Sequence, residues 1–371
     1  MKPNEILEIY LEVANENLAM SFLLDPKSQS KVEFICRCNT NKAPIRFLLA
    51  CLLAKIDRPE IDIRKPYTEI QGNDTYSGRT YDEGYVESFV AKHKLPCNST
   101  TAFLTPAFRN IDRLLTTDLV MVGKPREIYS YTLDLLGDVY QNQLSADALL
   151  KETLRYLLII KAENEGRMKQ LIADLRQTSD VLPLSSEQIV TLLHQHLNCK
   201  NSSRLPVLIV AAAYSAVEGL IGEKARPLYA HNAADKQTGS VGDIEVTIKN
   251  DEKVVTCYEM KDKRVTTNDI NHALKKTLSL SERIDNYIFI TTDKIEIEVV
   301  EHAKSLYEQT GIEIAILDCL GFVRHFLHFF HRYRIDFLNK YQKLVLQEPN
   351  SSVGQTLKET FLILRKQAEG N

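Results

Sequence analysis

The chain has 371 residues, of which 44% are hydrophobic and 26% are charged, and its formal net charge is −3. This composition excludes a disordered chain and a strongly basic polycation, and at roughly 150 residues per domain the length predicts about two domains. The acidic N-terminus does not have the features of a signal peptide, and the longest apolar run, 205–217, is too short to span a membrane. The seven cysteines follow neither a disulfide framework nor a zinc spacing, so we expect a cytoplasmic protein with reduced thiols.

The first half of the chain is predicted to be mostly helical, because apolar residues recur there at helical spacing. Helices are predicted over 4–23, 43–56, 85–92, 101–115, 127–141 and 145–176. A polar, glycine-containing loop is predicted over 71–82, and the last helix is expected to break near Glu165 and Gly166. A segment rich in leucine, proline and serine at 181–186 is the best linker candidate. We therefore predict a helical N-terminal region over 1–182, a core over 183–345 and a C-terminal helix over 346–371.

The pattern changes in the second half, where strands and helices alternate. Helices are predicted over 206–220, 268–280 and 295–309, and strands over 243–248, 254–260, 286–291 and 312–317. The first two strands are joined by a Lys-Asn-Asp-Glu turn signal. This order predicts an α/β layer in which a mixed sheet is flanked by helices.

Two acidic residues and a lysine in this α/β half form a candidate catalytic site. Asp243 opens one predicted strand and Glu259 ends the next, so a hairpin would bring their carboxylates together. Glu259 and Lys261 are two residues apart on a strand and therefore project from the same face. Hard oxygen ligands favour Mg²⁺, and the lysine could then orient or deprotonate a water that attacks a phosphodiester. A solvated hairpin with surface salt bridges is the alternative interpretation.

The stretches GDIEV and CYEMKDKRVT, followed by NDINHALKK, resemble the active-site hairpin and helix of the PD-(D/E)XK nuclease superfamily. The order of helices and strands over 206–318 also resembles the core of that superfamily. The layout is similar to that of type II restriction endonucleases of SacI type. The resemblance implies a restriction-endonuclease-like core with a mixed central sheet flanked by helices, preceded by a mostly α-helical region that recognises DNA.

The resemblance assigns roles to residues that match the motif. It implies that Asp243 and Glu259 bind Mg²⁺ together with the backbone carbonyl of Met260, and that Lys261 is the catalytic lysine. Lys263 is the alternative lysine, because a Glu-x-basic-x-Lys pattern would let either lysine serve. Gly242 precedes Asp243 where the motif has proline. Two further acidic residues are candidate extra ligands, namely Glu218 on the preceding helix and Glu245 on the strand of Asp243.

Basic residues near this motif, and hydrogen-bonding groups in the loop at 71–82, are candidates for contacts with DNA. An arginine can contact guanine through two hydrogen bonds, and clustered lysines can line a channel for the phosphate backbone. The three histidines at 325, 328 and 331 are better explained by a packed aromatic helix than by metal binding. The candidate DNA-binding residues are Arg79, Tyr81, Asp82, Lys263, Arg264, Lys275, Lys276, Arg324 and Arg332.

The resemblance implies a Mg²⁺-dependent type II restriction endonuclease that hydrolyses double-stranded DNA at a specific sequence and leaves 5′-phosphate ends. A homodimer is expected if the target is palindromic, and a cognate DNA methyltransferase is the expected functional partner. No membrane partner is expected. One alternative is a repair or recombination nuclease of the same superfamily that reads DNA structure. The other is a module that binds DNA on the nuclease fold without cutting it.

Overall fold

A computed structural model describes residues 2–70, 72–176, 182–228, 241–279 and 284–370. The chain divides into two compact units, Met1–Arg167 and Met168–Asn371. This division lies earlier in the chain than the boundary predicted at 182/183, and it falls inside one continuous helix, Ala146–Arg176. Among the described residues, no helix is both long enough and apolar enough to span a membrane.

The first unit is built from helices. In chain order these are α1 (Pro3–Glu16), α2 (Pro26–Arg37), α3 (Ala43–Asp57), α4 (Gly78–Tyr81), α5 (Glu87–His93), α6 (Arg126–Tyr140) and α7 (Ala146–Arg176). A π-helical segment, Asp82–Val86, joins α4 to α5, and a single 3-10 turn is formed by Ala102–Leu104. Helix α3 is apolar on all sides, and its residues 43–54 are all buried. It is therefore the centre of the core of this unit.

Two of the helices predicted in this unit were wrong in extent, and one expected helix break was wrong. The helix predicted over 4–23 ends at Glu16. The segment predicted as a helix over 101–115 has only one 3-10 turn, since Pro106 removes a backbone donor from its interior. The predicted break near Gly166 does not occur, because one exposed glycine costs a helix only about 1 kcal/mol. Helix α2, whose first turn is capped by the Asp25 carboxylate, was not predicted.

The second unit combines seven helices with one sheet in the part of the chain that is described. The helices are α8 (Ser186–Leu197), α9 (Leu205–Ile221), α10 (Thr267–Leu278), α11 (Ile297–Thr310), α12 (Cys319–Phe329), α13 (Arg334–Gln347) and α14 (Gln355–Ala368). The strands are β1 (Glu223–Ala225), β2 (Ile244–Ile248), β3 (Val254–Lys261), β4 (Asn286–Thr291) and β5 (Glu313–Asp318). The predicted α/β layer with a mixed sheet flanked by helices is confirmed.

The five strands lie in the order β1-β2-β3-β4-β5. Strand β2 runs antiparallel to both of its neighbours, β1 and β3. Strands β3, β4 and β5 run parallel to one another and are connected through α10 and α11. The β2–β3 pairing contains one irregularity, because Val246 pairs with Thr256 while Thr247 pairs with Val254. Val255 is therefore an extra residue on β3, as in a β-bulge.

The sheet buries both of its faces, and alternate residues of β4 show how. Ile288 and Ile290 belong to the apolar cluster that includes α9 and the C-terminal helices. Tyr287 and Phe289 belong to a second cluster, formed with α10 and α11 on the other face. Because side chains alternate between faces along a strand, the odd-numbered residues at the end of β3 lie on the side of α10. This side carries the candidate site.

Candidate active site

The β2–β3 hairpin places Asp243 beside the end of β3. Ile244 pairs with Tyr258, and the next step of the same register brings Asp243 opposite Glu259. The Asp243 carboxylate accepts a hydrogen bond from the backbone N–H of Met260, with an Oδ2–N distance of 2.7 Å. The hairpin expected from the sequence therefore forms, and its two acidic residues lie at the same end of the sheet.

Gly242 allows this close approach between the two strands. A Cβ atom at this position would lie 2.6 Å from the backbone carbonyl oxygen of Tyr258, closer than non-bonded atoms can pack. Only glycine lacks that atom. The residue that replaces the proline of the motif is thus required by local packing just before Asp243.

Glu259 is held by a buried tyrosine on the neighbouring strand. The Tyr287 hydroxyl donates a hydrogen bond to Oε2 of Glu259 and also lies 3.2 Å from the backbone carbonyl oxygen of Val241. Burial, followed by the nearby charge of Glu259, raises the pKa of Tyr287 above its ordinary value. The hydroxyl therefore keeps its proton and acts as a donor to the carboxylate.

Lys261 lies between two carboxylates. Its Nζ atom is 2.7 Å from Oε1 of Glu259 and 3.2 Å from Oδ1 of Asp269, and the three side chains are only 26–28% exposed. Burial by itself lowers the pKa of Lys261, but the hydrogen bonds and charges of the two acids outweigh it, so the pKa lies above its ordinary value. The side chain is therefore a charged ammonium at neutral pH.

Asp269 is fixed in place because it also caps helix α10. Its carboxylate accepts hydrogen bonds from the backbone N–H and the hydroxyl of Thr266, while the Thr266 hydroxyl accepts one from the N–H of Asp269. This reciprocal capping box satisfies donors at the start of the helix. Burial tends to raise the pKa of Asp269, but the bonds to Thr266 and the ammonium of Lys261 lower it overall.

A cleft of about 490 Å³ lies at this site, and Glu259 is behind Lys261 and not part of its lining. Asp243, Met260, Lys261 and Asp269 line it, together with the basic residues Lys263 and Arg264. Lys263 is exposed, whereas the Arg264 guanidinium forms an ion pair with Glu296 at 3.0 Å. Two of the basic side chains predicted to contact DNA, Lys263 and Arg264, therefore lie at the acidic site, where they could approach a phosphate backbone.

The oxygen atoms at this site fit Mg²⁺ only if the ion has few protein ligands and keeps several waters. No group of three or more acidic, histidine or cysteine residues that could hold a metal occurs among the described residues. Asp243 and Glu259 supply two carboxylates, and the Met260 carbonyl is a third oxygen. Mg²⁺ commonly binds one or two carboxylates and keeps several waters, so two carboxylates and one carbonyl oxygen are suitable ligands in type and number.

The two candidate extra ligands do not join this set. Glu245 is buried, and its carboxylate pairs with Arg226 at 3.0 Å and accepts the backbone N–H of Val241 at 2.8 Å. Its oxygens are therefore used by two residues that precede the hairpin. Glu218 is exposed near the end of α9 and does not line the cleft.

The candidate DNA contacts in the first unit have mostly structural roles. Asp82 is fully buried, where it pairs with Arg46 and accepts the backbone N–H of Ala102 at 2.9 Å. The Tyr81 hydroxyl donates to Asp57 at 2.6 Å, and its ring is buried. Neither side chain is accessible for base reading in this structure, which corrects that expectation. Arg79 is exposed and forms an ion pair with Glu83 at 2.7 Å.

The remaining basic candidates lie on helices of the second unit, outside the set that lines the cleft. Arg324 is exposed and pairs with Glu187 at 3.1 Å, a carboxylate that also contacts His328 at 3.0 Å. Arg332 is exposed in the 3-10 turn after α12. Lys275 is exposed and Lys276 half-buried in the last turn of α10, where basic residues favour the helix C-terminus.

Two residues of the site, Asp269 and Tyr287, were missed by sequence reasoning. The pattern Thr-Thr-Asn-Asp at 266–269 has a capping-box spacing, so a signal for Asp269 existed. That signal predicts a helix start and does not predict contact with Lys261. Tyr287 gives no local signal, because its role depends on the parallel pairing of β3 with β4.

One comparison with known proteins bears on this site. Residues 185–292 match the family model of the SacI restriction endonuclease C-terminal domain. The matched segment contains Asp243, Glu259, Lys261, Asp269 and Tyr287. No curated protein matches the chain. The family match supports a restriction endonuclease, which is a nuclease that acts on DNA.

Proposed function

We propose that this chain is a type II restriction endonuclease of the PD-(D/E)XK superfamily that hydrolyses double-stranded DNA at a specific sequence. One observation carries the proposal. Asp243 and Lys261 line one cleft, and Glu259 contacts Lys261 beside it, inside the segment that matches the SacI family model. A surface hairpin without function would not require the buried supports that Glu259 and Lys261 receive.

Asp243, Glu259 and the backbone carbonyl of Met260 would hold Mg²⁺. When bound, the ion would stabilise negative charge on the phosphate and acidify a bound water. The hydrogen bond from the Met260 N–H to Asp243 fixes one carboxylate, and the Tyr287 hydroxyl fixes the other. These contacts orient both acids before DNA arrives, so less reorganisation is needed at the reaction step.

Lys261 would orient the attacking water as a charged donor. Its raised pKa argues against a neutral amine that removes a proton, and its ammonium is already held by Glu259 and Asp269. Attack on phosphorus with the 3′ oxygen as leaving group would give 5′-phosphate and 3′-hydroxyl ends. Lys263 and Arg264 would contact the DNA backbone at the edge of the cleft.

A palindromic target would require two copies of this site related by a twofold axis, so the proposal includes a homodimer. It also includes a DNA methyltransferase that protects the host DNA. Sequence reading is assigned to the helical N-terminal region, whose size exceeds what hydrolysis itself needs.

The proposal is tested by incubating the purified full-length chain with unmethylated phage DNA in the presence of Mg²⁺ or EDTA. Discrete fragments that form only with Mg²⁺ support restriction. A smear would instead support a structure-directed repair or recombination nuclease, and DNA binding without cutting would support a non-cleaving module.

Variants link the cutting to the site. Asp243→Ala and Glu259→Ala are expected to abolish cleavage and to retain DNA binding. Asp262→Asn is the matched control, because it alters an exposed acid that lines the same cleft. Equal loss of cutting in all three variants would contradict the assigned roles.

A further inference from the structure

The Tyr287 hydroxyl contacts both chain segments that carry the acidic residues, the one with Glu259 and the one that leads to Asp243. The residue lies on β4, its side chain is 0% exposed, and its hydroxyl contacts both Glu259 on β3 and the backbone carbonyl of Val241. Val241 lies two residues before Asp243, so one hydroxyl contacts the segments that carry both carboxylates. Such a buried group is rigid, because close packing fixes the ring.

The direction of the hydrogen bond determines what this hydroxyl does to Glu259. A tyrosine has a single hydroxyl proton, so the bond is bifurcated: Oε2 of Glu259, a charged oxygen, is the stronger acceptor, and the Val241 carbonyl oxygen is the weaker one. The other oxygen, Oε1, then faces the Lys261 ammonium at 2.7 Å. Tyr287 and Lys261 together fix the plane of the carboxylate.

Val241 is held from its other side as well. Its backbone N–H donates to Glu245 at 2.8 Å, while its carbonyl oxygen lies 3.2 Å from the Tyr287 hydroxyl. Gly242 packs directly on the Tyr258 carbonyl, and Asp243 accepts the Met260 N–H. The position of Asp243 relative to Glu259 is therefore defined partly through Tyr287.

We propose that Tyr287 is a positioning residue that holds Glu259 at the correct orientation and distance from Asp243, so that the two carboxylates bind one divalent cation. The inference rests on the proposed function, because it concerns the same acidic pair. It goes further by assigning cation affinity to a residue that contacts neither DNA nor the reacting atoms.

Tyr258 provides a matched control for the loss of one buried hydroxyl. It lies on the adjacent strand β3, it is buried, and its hydroxyl is 3.0 Å from the Tyr214 hydroxyl. Its side chain belongs to the cluster on the opposite face of the sheet from Tyr287. Tyr258→Phe therefore removes a comparable hydrogen bond without touching the acidic pair.

The experiment measures Ca²⁺ binding by calorimetry in the wild-type chain, Tyr287→Phe and Tyr258→Phe, with no DNA present. Tyr287→Phe is expected to bind Ca²⁺ about tenfold more weakly, as for loss of a hydrogen bond to a charged group. Tyr258→Phe should stay within about twofold of wild type, because its hydroxyl lies on the other face of the sheet and shares no partner with Glu259. In cleavage assays, the Mg²⁺ concentration for half-maximal rate should rise in Tyr287→Phe, with a smaller change in the rate at saturating Mg²⁺.

Unchanged Ca²⁺ affinity in Tyr287→Phe, or equal weakening in Tyr258→Phe, would overturn the inference and leave the proposed function standing. A wild-type chain that neither binds Ca²⁺ nor cuts DNA would overturn the proposed function itself.

Should Tyr287→Phe fail to fold, the hydroxyl proton of Tyr287 can be observed by NMR in the tyrosine-labelled wild-type chain. A downfield resonance that shifts in Glu259→Gln supports the contact, and a resonance that does not respond rules it out.

Discussion

The Lys261 ammonium lies 2.7 Å from Oε1 of Glu259, and the two side chains leave the same face of strand β3. The same ammonium is 3.2 Å from Asp269, at the first turn of α10. Lys263, two residues later, is exposed beyond the end of the strand. Of the two lysines allowed by the motif, Lys261 is therefore the one held by carboxylates, those of Glu259 and Asp269.

Replacing each lysine by methionine should separate their roles. Lys261→Met is expected to reduce the cleavage rate by about 10²- to 10³-fold, the range for loss of one preorganised donor at the reacting groups. Lys263→Met should cut at a near-normal rate at low salt and bind DNA more weakly as salt rises, because it loses one phosphate contact. Single-turnover cleavage at two salt concentrations measures both effects. The opposite assignment follows if Lys263→Met is the inactive variant.

The charge of Asp269 beside Lys261 and its capping of helix α10 can be tested separately. Asp269→Asn retains a side-chain oxygen for the Thr266 donors but removes the charge beside Lys261, whereas Asp269→Ala removes both. We expect roughly tenfold slower cleavage in both variants, from a less well held lysine. Only the alanine variant should lose about 1 kcal/mol of unfolding free energy, the usual effect of a lost cap. Denaturant unfolding beside cleavage rates checks this, and full activity in both variants would remove Asp269 from the site.

Gly242→Ala should damage the site more than an ordinary glycine substitution. The new Cβ would lie 2.6 Å from the Tyr258 carbonyl, so the backbone before Asp243 must shift. We expect a loss of about 1–3 kcal/mol in unfolding free energy, together with strongly reduced cleavage. Gly219→Ala, on helix α9 with open space around its Cβ, is the control, and it should stabilise by up to about 1 kcal/mol. Equal effects of the two changes would contradict the packing argument.

His196 should make the fold sensitive to acid. It is fully buried, with Nδ1 2.9 Å from the Tyr341 hydroxyl and Nε2 3.0 Å from the Leu357 carbonyl. Burial lowers the pKa of His196 to about 4, from an ordinary value of 6.5. Between these values the unfolded chain binds the proton and the folded chain does not, so stability falls as pH decreases through that window. The slope is at most about 1.4 kcal/mol per pH unit.

The measurement for His196 is urea unfolding from pH 7 to pH 4 in the wild-type chain and in His196→Gln. The variant, which does not titrate at this position, should show a shallower decrease over the same range. Parallel curves for the two proteins would show that another group dominates the acid response.

Asp82 and Arg79 distinguish a structural role from DNA reading in the first unit. Asp82→Ala leaves the buried Arg46 guanidinium with only a longer ion pair, to Glu87 at 3.6 Å, and is expected to reduce the unfolding free energy by about 3 kcal/mol. Arg79→Ala removes an exposed pair with Glu83 and should change it by less than about 0.5 kcal/mol. Thermal unfolding compares the two, and a stable Asp82→Ala variant with altered sequence preference would restore the base-reading interpretation.

The sequence was most informative where structure depends on local pattern. Strand β4 was predicted at its observed bounds, 286–291, because its apolar residues form one short run between turn signals. The shared face of Glu259 and Lys261 followed from the two-residue period of a strand. The helix predicted over 101–115 was wrong, because apolar spacing there competes with a proline inside the segment.

Contacts between distant segments could not be predicted in the same way. Glu245 has the correct parity for a ligand beside Asp243, but its carboxylate is used by Arg226, which lies nineteen residues earlier. Tyr287 reaches Glu259 only because β3 and β4 pair in parallel. Asp82 belongs to a polar segment that includes the exposed Arg79 and Thr80, yet it is buried by its pairing with Arg46. Each role is set by tertiary pairing, which a single sequence does not encode locally.

The extra residue on β3, Val255, has a consequence for how such a chain can change during evolution. Val246 pairs with Thr256 and Thr247 pairs with Val254, so the bulge takes up one residue without moving Glu259 and Lys261 to the other face of the sheet. Losing Val255 would therefore leave a regular hairpin with both side chains in place. A second deletion would have no bulge to take it up and would turn Glu259 and Lys261 toward the opposite face. Aligned relatives should therefore differ by at most one residue in the length of this strand and more freely in the turn at 249–253.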